Sequence, residues 1–223
     1  MRPRRLRHIS RAVVVFLGAL ATVLVAGPAH AQLANRTAEE WISTLDSSQR
    51  VQSLKINETI EKLGIKGGQV VADIGAGSGV FSIPLAPKVR PGGKVYAVDV
   101  DEALLAHISE TATEQGIVNI ETVYGEYDDP VLPASVDLAF INDVLHHIEH
   151  RDVYLKNLAK YLKPGGRVAI IDFKPGQGGH ANDPSLQVSQ EQATAWMAAA
   201  GLKPVQEVTD LFTDKWFVIY AKQ

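Results

Sequence analysis

Three groups of residues in this chain have the types and spacing to do chemistry. Asp73 stands two residues before Gly75, Gly77 and Gly79 in VVADIGAGSGVFS; Asp99 closes the run KVYAVD; and His146, His147 and His150 crowd the stretch VLHHIEH. Glycines after an apolar run let backbone approach a ligand closely and take positive φ without strain. Their spacing separates ligand classes. A dinucleotide site wants G-x-G-x-x-G, to seat a pyrophosphate at a helix N-terminus. Here the third glycine comes one position early and Val80 holds the final place. A carboxylate beside such a turn is ill matched to a diphosphate and suits a ligand with a cationic or amino-acid end. Asp99, at the tip of the following strand, can accept hydrogen bonds from both hydroxyls of a ribose. The histidines admit a general base at His146 or His147, a metal, or a turn whose imidazoles pack internally; no metal is assigned. His180, in GQGGHANDP, reads as a loop residue within reach of substrate or simply solvated.

The elements that must position these groups alternate along the chain. Residues 37–63 read as helical and stop at Gly64. QVVADI is a strand, Val80 to Val89 a short helix and GKVYAVDV a second strand, after which Asp101 caps a helix that Gly116 ends. NIETVY and SVDLAFIN are strands, RDVYLKNLAKYL a helix and GGRVAIIDF a strand; Ser189 with Gln192 forms a capping box for the last helix, closed by Gly201. Two further strand-like runs finish the chain with no room for a helix between them. The pattern predicts a doubly wound α/β domain: a mostly parallel seven-stranded sheet, helices on both faces, and an antiparallel last strand. The near-continuous apolar character of VVADI and VAIIDF agrees, since parallel strands are covered on both sides. Pro84 and Pro87 fall in the helix after the glycines, and the second removes an N–H and shortens it. Trp41 and Arg50, in the leading helical stretch, are read as packing onto the sheet rather than closing over a ligand.

VVADIGAGSGVFSIPLA, GKVYAVDVD, GEYDDPVLPASVDLAFINDVLHHI and YLKPGGRVAIIDF, in that order, resemble the successive motifs of the class I S-adenosylmethionine-dependent methyltransferases, a Rossmann-like family. The resemblance covers residues 50 to 223. It implies S-adenosylmethionine as cofactor, with Asp73 near the amino end of the methionine part and Gly75, Ala76, Gly77 and Gly79 lining its approach. It implies Asp99 on the ribose, Val100 against the adenine, and one of Glu126, Asp128 and Asp129 receiving the adenine amino group. Asn142 would face the methyl donor and the acceptor pocket. Methyl transfer is an in-line displacement that needs alignment, exclusion of water and, for some acceptors, removal of a proton. The absence of cysteine therefore costs nothing.

The opening of the chain is set apart. Residues 1–31 combine a basic start, an apolar run and small residues at Ala29 and Ala31, the pattern of an export signal cleaved after Ala31. The alternative is an uncleaved membrane anchor. These residues hold five of the 22 basic side chains and none of the 25 acidic ones, which leaves 17 − 25 = −8 for the rest. An acidic body argues against nucleic acid as a partner. The expected organisation is a signal over 1–31, a helical segment over 32–66 and the cofactor-binding domain over 67–223. The expected partner is a small-molecule acceptor, with membrane contact only through the signal segment or a lipid-like substrate. Three competing readings remain: a cofactor-binding protein without turnover, an aminopropyl transferase, and a nicotinamide oxidoreductase, the last weakened by the glycine spacing.

Overall fold

A computed structural model describes residues 36–222; the proposed export signal lies outside the described residues. Three short helices lead in: α1 (Ala38–Leu45), α2 (Ser48–Ser53) and α3 (Ile56–Leu63). The single helical run expected over 37–63 is therefore broken twice. Asp46 ends the first piece, and Lys55 breaks the second by adopting φ 45°, with its ammonium donating to the carbonyl of Leu211. Gly64 ends α3 in the left-handed conformation, as expected.

The sheet follows: β1 (Val70–Ile74), β2 (Lys94–Asp99), β3 (Ile120–Tyr124), β4 (Val136–Asn142), β5 (Leu162–Phe173), β6 (Leu202–Glu207) and β7 (Lys215–Lys222). Its order is β3-β2-β1-β4-β5-β7-β6. Strands β1 to β5 pair in parallel, and β7 enters antiparallel between β5 and β6. The doubly wound sheet with an antiparallel finish is thus observed. Between the strands lie α4 (Ser82–Lys88), α5 (Glu102–Glu114), α6 (Arg151–Lys160) and α7 (Gln190–Ala199). The Asp101 carboxylate accepts the N–H groups of Ala103 and Leu104, and Ser189 and Gln192 form the reciprocal capping box. Both helix starts were legible because a cap is a local hydrogen bond.

The strands alternate between two cores. Ala72, Ile74, Ala139 and Ile141 pack toward α6 and α7 with Tyr154, Leu155, Leu158 and Met197. Val71, Leu138 and Phe140 pack toward α3 and α4 with Ile60, Leu63, Phe81 and Leu85. Asp73 is the polar exception inside β1, and it lies only 3% exposed. Phe140, fully buried at the centre of the sheet, meets Phe81 edge-on with ring centroids 4.9 Å apart. That contact holds the segment after the glycines onto the sheet. Phe140→Ala is expected to cost about 3–5 kcal/mol, read as a lower urea midpoint in equilibrium unfolding; a loss below about 1 kcal/mol would refute this account of the packing.

Candidate active site

A cleft of about 660 Å³ opens over the carboxyl ends of β1, β2, β3 and β4, where the strand order reverses between β1 and β4. That is the ligand position of open α/β sheets, and the volume is that of a small-molecule pocket. The glycine loop after β1 forms its floor. All three glycines take positive φ, yet their necessity comes from the protein as much as from any ligand. A Cβ on Gly75 would fall 2.5 Å from a Val144 methyl carbon, one on Gly77 2.9 Å from Leu45, and one on Gly79 2.9 Å from Ile108. The loop after β4, α1 and α5 all press directly on this backbone. Ser78 adds a 2.6 Å hydrogen bond from its hydroxyl to Asp46, which ties the end of α1 to the same loop.

Asp99 joins the first two strand tips. One carboxylate oxygen accepts the N–H of Gly77 at 2.8 Å; the other accepts those of Val100 at 2.8 Å and Asp101 at 3.2 Å. The first of these oxygens keeps a lone pair free for a ligand hydroxyl. Burial pushes the Asp99 carboxyl above its ordinary range, and the three N–H groups oppose that rise. Asp73 is more deeply set. Burial raises its carboxyl to about 7; the Ser82 hydroxyl, donating at 2.6 Å, holds it down in part, and the charge of Asp99 pushes it further up.

At the far end of β4, Asn142 and Asp143 line the cleft, and each has one carboxamide or carboxylate Oδ1 buried without a hydrogen-bond partner. Asp143 also takes φ 55°, rare for a residue with a side chain, and its other oxygen accepts the buried ammonium of Lys215 at 2.6 Å. Unsatisfied buried acceptors are costly, so two of them beside a cleft fit the ammonium end of an amino-acid ligand. Neither Asp143 nor Lys215 was singled out from sequence. The only signal available was their polarity within otherwise apolar strand ends.

The cleft gathers Asp73, Gly75, Ala76, Gly77, Asp99, Val100, Glu126 and Asn142 along its wall. Four expected site residues fall elsewhere; the first is Gly79, whose backbone faces Ile108 and not the cleft. Asp128 and Asp129 lie off the cleft: the Asp129 side chain accepts from the Tyr161 hydroxyl and the Val131 N–H, while the Asp128 carbonyl accepts from Asn157. Of the three acidic candidates, only Glu126 is at the wall. His146 is buried behind it, with Nδ1 2.6 Å from Asp172. His147 does line the cleft, but burial, followed by the neighbouring His146, His180 and Arg151 charges, lowers it to about 3. A base that weak at neutral pH accepts a hydrogen bond without storing a proton. Trp41 and Arg50, expected against the sheet, line the cleft instead. Seven lining residues are carboxylates, and Arg50 is the one lysine or arginine among them.

Similarity to known proteins agrees with this geometry. Residues 72–168 match a family model described as a methyltransferase domain. A ubiquinone/menaquinone biosynthesis C-methyltransferase from Pseudomonas putida is 30% identical over 117 residues, 52% of this chain and 46% of that protein; the chain thus spans about half the length of such relatives. A SAM-dependent methyltransferase from Aquifex aeolicus superposes with a TM-score of 0.74 at 25% identity, over 84% of this chain and 100% of that one. A magnesium protoporphyrin IX methyltransferase from Synechocystis, solved with bound SAH, superposes with a TM-score of 0.61 at 20% identity, over 78% and 84% of the two chains, and shares the fold. Residues 72–168 thus resemble a methyltransferase domain, and they sit in a Rossmann-like sheet shared with a solved SAM-dependent methyltransferase.

Proposed function

We propose that this protein transfers a methyl group from S-adenosylmethionine to a small acceptor with an apolar body. The acidic character of the cleft carries the reading: seven carboxylates against one arginine repel a diphosphate and attract a sulfonium nucleoside with an ammonium end. In this reading the Asp99 carboxylate takes the ribose, Val100 faces the adenine and Glu126 receives its amino group. The unpartnered oxygens of Asn142 and Asp143 accept from the ammonium, and Asp73 contributes negative charge beneath the glycine loop. When bound, the sulfonium supplies an activated methyl carbon, so the protein's task is alignment and exclusion of water. Trp41, Leu45, Val144 and Ile148 supply the apolar wall for an acceptor, and His147 offers it a hydrogen-bond acceptor. The basic, apolar and small-residue segments of residues 1–31 support export of the mature chain from Gln32 onward.

Isothermal calorimetry with S-adenosylmethionine and S-adenosylhomocysteine is expected to show binding of both, with at least a tenfold loss on Asp99→Ala. Tight NAD binding with neither of those would sink the assignment. The Asp73 carboxyl gives a second test. Its folded value of about 7 lies above the ordinary 3.8, so between roughly pH 4 and 7 the folded chain keeps a proton that the unfolded chain has released. Ligand-free stability is therefore lost as pH rises through that window. The melting temperature of the wild type minus that of Asp73→Asn should fall from pH 4 to pH 8, and a flat difference would refute the burial of this charge. Cell fractionation with N-terminal sequencing checks export: Gln32 at the mature terminus is expected, and an intact Met1 in the cytoplasmic fraction would overturn it.

A further inference from the structure

Thirty-three residues separate His147 from His180 in the chain, yet the fold brings them together with His146. Their ring centroids lie 4.1 Å (146 to 147), 5.3 Å (146 to 180) and 5.1 Å (147 to 180) apart. One nitrogen from each lies within 4.8 Å of the other two. We infer that His146, His147 and His180 form a binding site for a divalent transition-metal ion, of which zinc is the type.

The strongest support comes from behind the cluster. Asp172, 1% exposed at the end of β5, accepts the backbone N–H of His146 at 3.0 Å, its ring Nδ1 at 2.6 Å and the N–H of Phe173 at 2.8 Å. A carboxylate engaged in this way with a ring nitrogen fixes the tautomer and leaves Nε2 as the donor. That carboxylate–histidine pairing is the usual outer support of a histidine metal ligand. The negative charge of Asp172 also offsets the cation. Arg151, the nearest positive group on α6, is committed to the carbonyls of Leu145, His146 and Ser185.

The loop carrying His180 is built to hold it there. Gln187 accepts the Gly176 N–H and donates to the Ala181 carbonyl. Gly178 sits so close to the Phe173 ring that a Cβ would fall 2.6 Å from it. A small void of about 10 Å³ lies beside His146 and His180. Lys174, which also borders the void, donates its ammonium to the carbonyl of Thr213.

Tetrahedral zinc with imidazole ligands at 2.0–2.1 Å needs nitrogens about 3.4 Å apart. Binding therefore closes the three nitrogens from within 4.8 Å of one another to that separation. Three neutral nitrogens and no thiolate select zinc, copper, nickel or iron over magnesium or calcium. Three protein ligands leave one coordination position open, and His147 also lines the cleft. The site stands on its own geometry, whatever the cleft binds. It departs from the sequence-level expectation of no metal.

The test uses the untagged full chain, stripped with chelator. Zinc titration by calorimetry and cobalt(II) titration by visible absorption are expected to show one equivalent per chain, with the intense bands of a tetrahedral cobalt site. His180→Ala and Asp172→Asn should each weaken zinc binding at least tenfold. His147→Gln should weaken it similarly and abolish the cobalt bands. His107→Ala, on α5 away from the cluster, should change nothing. Melting of the metal-free variants confirms that they fold; should Asp172→Asn not fold, His180→Ala and His147→Gln decide. Failure of the wild type to bind either ion at micromolar concentration, or unchanged binding in His180→Ala, would overturn the assignment.

Discussion

The Asp99 carboxylate holds the functional end of this fold together. By accepting the N–H groups of Gly77, Val100 and Asp101 it joins the loop after β1 to the loop after β2. A glycine loop left alone is the most freely mobile kind of backbone. Here one charged acceptor, the pressure of Val144 and Leu45 on its open faces, and the Ser78–Asp46 bond leave it a single shape. Charge-assisted hydrogen bonds are the stronger kind, and part of their strength opposes the cost of burying the charge. The ligand cleft exists because those two loops are fixed relative to one another.

Three carboxyl groups at or just beyond strand ends of the sheet show how environment assigns them different work. Asp172 is surrounded by donors from His146 and Phe173 and serves to orient an imidazole. Asp143 is half used by Lys215, with its other oxygen buried and without a hydrogen-bond partner. Asp73 is held by the hydroxyl and backbone N–H of Ser82 alone and rises to about 7. Burial outweighs that compensation, so the anion is disfavoured in the ligand-free fold.

The arrangement of strands and helices was legible because it rests on local signals. The alternating apolar runs, the Asp101 cap and the Ser189–Gln192 box each depend on residues a few positions apart. The glycine spacing pointed to a nucleoside without a diphosphate for the same reason. The leading helices were misjudged as one run because a left-handed Lys55 is held by a carbonyl 156 residues away. Asp128 and Asp129 stood as equal candidates with Glu126 until Tyr161 and Asn157 claimed that turn from across the fold. Trp41 and Arg50 were misplaced because nothing in their own segment says which end of the sheet it crosses.

Residues near one another in sequence determined the architecture and the class of ligand by themselves: periodicity, capping and glycine geometry are short-range physics, complete within a few peptide units. Tertiary structure alone decided which polar groups share a space. It brought His180 to His146 and His147, set Lys215 against Asp143, and put Val144 over Gly75. Those meetings depend on how loops from separate strands converge at one edge of the sheet. No local pattern encodes that convergence, because it follows from the packing of the whole sheet.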